Sequence, residues 1–411
     1  MSQTEVIPTT SIDTSFEQCI KCTVCTVYCP VAKANIDYPG PKQCGPDGER
    51  LRLKSPELYD ETLKYCTNCK RCETACPSNV KIGDIIAVAR RKHEKKEISP
   101  KFMRDFVLSH TDLFGSLTTP IAPIVNKVTE NKVMKKVMEK TVGVSSHKSL
   151  PKYSFGTFRR WYKKNKKRQL DFDRHINYFH GCYVNYNHPQ LGKDVVKVLN
   201  AMGIGMQLLE KEKCCGVPLI ANGFFDKAKK NAEFNVAQME KATSNSSMPI
   251  LSTSSTCSFT LQQEYPHVLE VDNSKVVDKI EYMSSFMLRE FMSGNQPKLK
   301  PVNKKVLYHI PCHLERSGQV IFTTELIKMI PGVELVILDS QCCGSAGTYG
   351  FKEENYETSM KIGETIFETI KHSKEADLII TDCETCKWQL EENSHLEAIH
   401  PMSLMAMAID D

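Results

Sequence analysis

Over residues 173 to 411, short apolar runs alternate with longer stretches of helical periodicity. The runs are "HINYFHG", "KVLYHI", "VELVIL" and "ADLIIT"; the longer stretches include "GKDVVKVLNAMG" and "ENYETSMKIGETIFETIKHS". Val-, Ile- and Tyr-rich runs this short suit buried strands, whereas apolar residues recurring every three or four positions suit helices with one buried face. The alternation predicts βαβ units around a mainly parallel sheet. Earlier in the chain the pattern differs. "PELYDETLKYC" reads as a helix, and between residues 96 and 172 apolar patches ("FVLSHTDLFGSL", "PIAPIVNKV") stand beside Lys-rich helical turns ("NKVMKKVMEK").

The tail repeats itself. "YFHGC" ending at Cys182 answers "YHIPC" ending at Cys312, Cys214-Cys215-Gly216 answers Cys342-Cys343-Gly344, and "PILSTSSTC" ending at Cys257 answers "LIITDCETC" ending at Cys386. The offsets of 130, 128 and 129 residues are nearly constant, which indicates duplicated domains and not a short-period solenoid. Four segments result: a cysteine-rich front (1–95), a connector (96–172), a first tail domain (173–300) and a second (301–411). In both tail copies the cysteines fall just after apolar runs, at the expected carboxyl ends of strands, where open α/β sheets bind ligands.

Composition narrows the chemistry. With 411 residues, 41% hydrophobic and 25% charged, the chain has material for several cores. Its 18 cysteines fall well short of the roughly 8–10% of disulfide-stapled secreted domains, so metal or redox chemistry is the expected use. "MSQTEVIPTT" lacks the basic and apolar regions of a leader, and there is no apolar run of about 18 residues. A cytoplasmic protein that does not span a membrane is expected. The net charge of +5 is uneven: residues 91 to 170 hold 20 Lys+Arg against 6 Asp+Glu, a surplus of 14, leaving the rest at −9. "FRRWYKKNKKR" (158–168) is the densest basic part.

At the front, Cys19, Cys22, Cys25 and Cys29 followed by Pro30 form C-x2-C-x2-C-x3-C-P, and Cys66, Cys69, Cys72 and Cys76 followed by Pro77 repeat it. In two-cluster ferredoxins the fourth cysteine of such a run ligates the other cluster. One cubane 4Fe-4S cluster is therefore expected on Cys19, Cys22, Cys25 and Cys76, and a second on Cys66, Cys69, Cys72 and Cys29. Zinc also favours C-x2-C pairs, but two complete runs each closed by proline are more specific than isolated pairs. The long spacing between the runs resembles the α-helical ferredoxin of succinate dehydrogenase-type iron-sulfur subunits. Cys44 matches neither run and reads as a plain reduced thiol.

The second tail copy offers five thiols, Cys312, Cys342, Cys343, Cys383 and Cys386; the first has Cys182, Cys214, Cys215 and Cys257, with Ser254 in place of a fifth. Adjacent cysteines sit about 3.8 Å apart at Cα, too close for an ordinary disulfide. They suit neighbouring ligands to different irons, with the following glycine letting the backbone turn. Five thiols also exceed the four that zinc or an ordinary cubane takes. Serine is a harder, weaker ligand, leaving the first site open to an ordinary cluster, an altered one or none. His180, His309 and His313 flank the lead cysteines, where local hydrogen bonding is the commoner role and contact with a cluster or quinone the rarer.

The paired tail repeats resemble the cysteine-rich CCG domains of the heterodisulfide reductase B-subunit, which implies one or two further 4Fe-4S clusters of a kind that can be noncubane. The whole order, with "YPGPKQCGPDGERLRLKSPELYDETLKYCTNCKRCETACPSNVKIGDII" adding to the match, resembles the C-subunit family of anaerobic glycerol-3-phosphate dehydrogenase over essentially the full chain. The resemblance implies an α+β multi-domain protein: a mainly α-helical two-cluster ferredoxin domain, then two α/β CCG domains. It further implies a non-catalytic electron-transfer subunit that serves the flavin-containing A- and B-subunits and passes electrons to menaquinone. Its place would be peripheral, on the cytoplasmic side of the inner membrane. Iron-sulfur subunits of glycolate oxidase and lactate-utilisation complexes share the layout, so the substrate stays open, and a disulfide-reducing subunit or a redox sensor are the rival classes.

Absent motifs agree. No G-x-G-x-x-G opens a helix after a strand, and there is no P-loop pattern or hydrolytic triad, so flavin and nicotinamide sites are expected on other chains. The connector's apolar patches and cations suit an anionic membrane surface, with a solvated basic face or an acidic partner as the alternatives. Nucleic acid is not an expected partner, because only the one basic run points to it.

Overall fold

The computed structural model describes residues 15–55, 60–93, 98–244 and 248–410. The opening decapeptide and residues 56–59, at the start of the expected "PELYDETLKYC" helix, lie outside them. Contacts divide the chain into two units, Met1–Lys95 and Lys96–Asp411, so the connector belongs with the tail.

In the first unit the described residues form helices and turns without strands. Short helices Val24–Val27 and Arg71–Thr74 lie within the two cysteine runs, Pro30–Ala34 starts at the proline that closes the first, and Ile82–His93 is the longest. Proline at the first helical position is favourable because its missing N–H has no intrahelical partner there. Ile82, Ile85 and Ile86 recur on one face of the long helix and are buried, as are Val31, Leu63 and Val80 of the same unit. The expected "PELYDETLKYC" helix is, over its described part, a 3-10 turn at Glu61–Tyr65 capped by Asp60.

The second unit holds two four-stranded parallel sheets. The first comprises β1 (Arg174–Tyr178), β2 (Ile204–Leu208), β3 (Ile250–Ser252) and β4 (Ile280–Tyr282) in the order β2-β1-β3-β4. The second comprises β5 (Lys304–Tyr308), β6 (Val333–Ile337), β7 (Leu378–Ile380) and β8 (Ala398–Ile399), in the equivalent order β6-β5-β7-β8. In register, Tyr178 pairs with Leu208 and Leu251, and its counterpart Tyr308 with Ile337 and Ile380. Central strands such as "LII" are wholly buried, whereas "VELVI" is half exposed because β6 is an edge.

The two copies exchange cover. Helix Pro401–Met407, which ends the second copy, packs on Pro189–Ala201 of the first; helix Met283–Met292, which ends the first, packs on Val320–Lys328 of the second. One apolar core with Tyr178, Tyr308, Met283 and Met402 therefore runs through both. The basic run forms helix Phe158–Leu170, but its aromatics do not face outward: Phe158 and Tyr162 are buried, and the Tyr162 hydroxyl donates to the Met206 carbonyl at 2.7 Å. The connector helices Pro100–Ser109, Thr111–Thr118, Ala122–Glu130 and Lys132–Val142 are tied on by Arg104, which grips Glu354 at 2.8 and 2.9 Å.

Candidate metal centres

Both front runs bend in the same way. Lys21 and Thr23 in the first, and Asn68 and Lys70 in the second, hold positive φ angles of 61°, 62°, 54° and 61°. Non-glycine residues rarely adopt this conformation, and its repetition at equivalent positions marks backbone held by its surroundings. Left-handed residues flanking a cysteine in this way suit the backbone concavities of N–H groups that accept anionic groups such as iron-sulfur clusters. Cys19, Cys22, Cys25 and Cys76 line one small cavity of about 20 Å³; Cys29, Cys66, Cys69 and Cys72 line another of about 20 Å³. The fourth cysteine of each run thus stands with the other run's first three. Electrostatics group them likewise. Burial raises the Cys25 thiol, with Cys19 and Cys76 adding to the rise, and raises Cys29 to about 12, with Cys69 and Cys66 adding. The fourth sulfurs receive matching backbone bonds, from Ala32 N to Cys29 Sγ at 3.5 Å and from Val80 N to Cys76 Sγ at 3.4 Å. Cys44 lines neither cavity; it is buried against the Thr62 hydroxyl at 3.5 Å, and burial pushes its thiol to about 12.

In the tail, the sheet order reverses between β1 and β3, and between β5 and β7, which is where doubly wound sheets bind their ligands. The lead cysteines follow β1 and β5, the Cys-Cys pairs follow β2 and β6, and Cys257, Cys383 and Cys386 follow β3 and β7. Gly216 and Gly344 after the pairs have φ of 104° and 81°, and a Cβ on Gly344 would lie 2.0 Å from the Ser359 carbonyl oxygen, so only glycine fits. In the first copy Cys182 Sγ lies 3.9 Å from Cys214 Sγ, and Cys257 Sγ 3.4 Å from Cys215 Sγ. In the second, Cys343 Sγ lies 3.2 Å from Cys386 Sγ. Bonds with neighbouring thiols lower Cys214 and Cys343 well below the ordinary thiol value, while Cys182, Cys215 and Cys386 are pushed up. Metal binding at either site would displace the protons that these neighbouring thiols hold.

Ser254 has other work than replacing a thiol. It caps helix Ser255–Phe259, accepting from Cys257 N at 3.2 Å, and its hydroxyl donates to the Glu384 carboxylate at 3.2 Å. Beside it, Ser255 Oγ donates to the Asp382 carbonyl at 2.9 Å. Equivalent motifs of the two copies thus meet across their junction, where the carboxylate of Asp382 also takes the Tyr308 hydroxyl at 2.6 Å.

Three matches to known proteins accompany this geometry. A 4Fe-4S dicluster domain model matches residues 15–80, and a cysteine-rich domain model matches residues 176–262 and again 306–391. The C-subunit of the anaerobic glycerol-3-phosphate dehydrogenase of Escherichia coli strain K12 is 57% identical over 97% of this chain and 99% of its own length. The chain belongs to the anaerobic glycerol-3-phosphate dehydrogenase C-subunit family. More remote relatives keep the layout: the B-subunit of the CoM/CoB fumarate reductase of Methanothermobacter marburgensis, 25% identical over 94% of this chain and 70% of that protein, and the glycolate oxidase iron-sulfur subunit of Escherichia coli K12, 22% identical over 97% and 95%.

The dicluster domain model makes this member of the C-subunit family an iron-sulfur protein, and the donor sets fit: soft thiols in two fours around the front cavities, and close thiol pairs at the strand ends of both tail copies. Sequence reasoning missed the polar groups behind these thiols. Asp112, from the connector, accepts the Cys214 N–H at 2.6 Å, and burial pushes its carboxyl to about 7. About a hundred residues separate the two, so no local signal linked them. Glu212 accepts from Gly181 N at 2.7 Å, and burial raises it to about 8. Arg159 Nε donates to His180 Nε2 at 2.9 Å while His180 Nδ1 faces the Gly181 carbonyl at 2.7 Å; burial, then Arg159, hold this imidazole down to about 3. His180 therefore stays neutral and orients the loop before Cys182. His309 meets the Thr381 hydroxyl at 3.2 Å, and the His313 ring stacks on Phe259 at 4.8 Å. At the front, Lys70 is buried between Asp84 and Glu73, and Glu73 also accepts Gly83 N at 2.8 Å, tying the second run to helix Ile82–His93.

Proposed function

We propose that this chain is the electron-transfer subunit of an anaerobic glycerol-3-phosphate-oxidising complex. It takes electrons singly from flavin-containing A- and B-subunits and passes them to menaquinone at the cytoplasmic face of the inner membrane. The crossed gathering of the eight front thiols into two fours is the observation that carries the electron-transfer reading, and the 57% identical relative directs it to glycerol 3-phosphate. In this reading Cys19, Cys22, Cys25 and Cys76 hold one cubane cluster and Cys29, Cys66, Cys69 and Cys72 a second. Cys312, Cys342, Cys343, Cys383 and Cys386 hold a third, and Cys182, Cys214, Cys215 and Cys257 can hold a fourth. Bound there, iron and sulfide supply one-electron redox chemistry. The chain's own residues set its energetics through burial, charge and hydrogen bonds to sulfur. Anaerobically purified protein is expected to contain about 16 irons with matching acid-labile sulfide if all four sites fill, or about 12 if the site beside Ser254 does not. Zinc in place of iron would overturn the reading.

For the membrane, the connector supports peripheral docking. Among the described residues no helix is long and apolar enough to cross a bilayer. Leu113, Leu117, Ile124 and Val133 nevertheless lie 47%, 61%, 66% and 69% exposed on consecutive helices, with the exposed cations Lys127, Lys132, Lys136 and Lys140 nearby. Apolar side chains enter the acyl boundary, and each cation near anionic lipid adds about 1 kcal/mol. Because all four residues are exposed, Leu117→Glu with Ile124→Glu should spare the fold. The double variant is expected to lose flotation with phosphatidylglycerol liposomes while keeping its iron; undiminished flotation would discard this docking face.

A further inference from the structure

The two tail copies leave a cavity of about 500 Å³ between them, within the range of about 300–1,000 Å³ that small-molecule sites occupy. Its walls come from helix Ser255–Phe259, β4, helix Met283–Met292, and the segment running from helix Cys312–Arg316 into Val320–Lys328. Two polar atoms stand out in its lining. Ser258 is 4% exposed and its hydroxyl has no hydrogen-bond partner; the Oε1 of Gln319, also buried, has none either. Buried polar groups normally find partners, so two orphans in one cavity point to a molecule that supplies them. The other polar lining groups are engaged: Gln262 donates to the Ile280 carbonyl at 2.7 Å, Ser285 to Glu281 at 2.9 Å and Ser317 to the His313 carbonyl at 2.6 Å.

The orphans define what fits. Gln319 Oε1 only accepts, so the ligand must offer it an O–H or N–H; the Ser258 hydroxyl can give or accept. Around them lie Leu288, Leu314 and Phe322, and Met292, 76% exposed, stands at the rim, a path for an apolar tail. A flat ring with oxygens on opposite sides and an apolar substituent meets all these conditions. Its carbonyl accepts from Ser258, and once reduced its hydroxyl donates to Gln319. The position also suits electron delivery. Ser258 directly follows Cys257, about 3.8 Å away at Cα, and Leu314 lies two residues beyond Cys312, a span of at most about 7 Å.

We infer that the cavity between the CCG domains is a quinone-binding site, with Ser258 and Gln319 holding the two ring oxygens. This rests on the quinone-reducing reading above and gives it a place. The ring takes two electrons, one at a time, that originate in the partner dehydrogenase, and two protons from water at the open side; both carbonyl oxygens become hydroxyls.

An azido-naphthoquinone probe photolysed with the full-length, iron-loaded chain should label residues 255–262 and 314–322, and excess 2-methyl-1,4-naphthoquinone should suppress the label. Label confined to other segments, or not displaced by competitor, would overturn the site. In complex with its dehydrogenase partner, Ser258→Ala should raise the KM for 2-methyl-1,4-naphthoquinone about fivefold or more at unchanged iron content, the scale of one lost hydrogen bond; Gln319→Leu, which loses a bond made only to the reduced ring, should instead weaken product inhibition by 2-methyl-1,4-naphthoquinol by a similar factor. An unchanged KM in Ser258→Ala together with unchanged product inhibition in Gln319→Leu would also overturn it. Competed labelling at these segments, in a wild-type complex that reduces a soluble dye but no quinone, would keep the cavity as a quinone-class site and reject the quinone-reducing reading.

Discussion

Serine at Cys29 is expected to remove about four irons, the same four that serine at Cys69 removes. The reason is geometric. Cys29 lies ten residues from Cys19 but shares its cavity with Cys66, Cys69 and Cys72, while Cys76 stands with Cys19, Cys22 and Cys25. A hydroxyl is a harder and weaker ligand to iron than a thiolate, so one substitution should open the whole cubane. Residues that act as one unit are non-additive. Cys29→Ser with Cys69→Ser should therefore lose about four irons, no more than either alone, whereas Cys29→Ser with Cys22→Ser should lose about eight. Iron and sulfide analysis of the four variants decides the matter. Should the Cys29 and Cys22 changes overlap and those of Cys29 and Cys69 add, each run would hold its own cluster and the crossed assignment would be wrong.

The gathering of the front thiols into two crossed fours was legible because the front spacing is short: two-residue gaps leave the chain few ways to place three sulfurs, and left-handed residues recur at Lys21, Thr23, Asn68 and Lys70. The parallel sheets were legible for a different reason. Central strands buried on both faces must be continuously apolar, as "LII" is, so β7 declared itself in the sequence. The constant offsets carried the duplication as well, since each copy repeats the same strand order. What stayed hidden depends on distance along the chain. Asp112 reaches the Cys214 N–H across 102 residues, and Ser254 meets Glu384 across 130, so neither pairing leaves a local pattern. The basic run misled for a simpler reason. Its cations are conspicuous, but Phe158 and Tyr162 recur four residues apart on one helical face, and that face is the one the first sheet buries. Composition read the solvent side and overlooked the anchor.

The reciprocal cover of the tail copies explains why Ser254 can depart from the five-cysteine pattern without loosening the fold. The serine hydroxyl closes a helix N-terminus and bridges to Glu384, while Asp382 gathers the hydroxyls of Tyr282, Tyr308 and Thr323. The junction thus relies on oxygen donors where one copy gave up a sulfur. It also forms one wall of the cavity between the domains, since Ser255 and Tyr282 line that space. Ser254 thus serves the interface at the position where the second copy carries Cys383.

Replacing Lys70 by methionine should destabilise the front unit by about 3–5 kcal/mol, the usual consequence of removing one partner from a buried ion pair. The Lys70 ammonium is fully enclosed, bonded to Asp84 and 3.7 Å from Glu73, and those carboxylates are themselves almost inaccessible. Methionine keeps the unbranched length and meets the same left-handed backbone at φ 61°, so the difference isolates the charge. Without the ammonium, two carboxylates face each other in a space with little water. Glu73 retains the Gly83 N–H at 2.8 Å and the Asp84 N–H at 3.2 Å, while Asp84 loses the ammonium bonded directly to it. Adding Asp84→Leu to Lys70→Met should therefore recover part of the loss, because an apolar side chain of similar size needs no partner. Denaturant midpoints, followed by the visible absorbance of the iron-loaded protein, test both steps. A single variant as resistant as the wild type would show that the buried lysine contributes no net stability. A double variant less resistant than the single would show that Asp84 is not where the penalty lies.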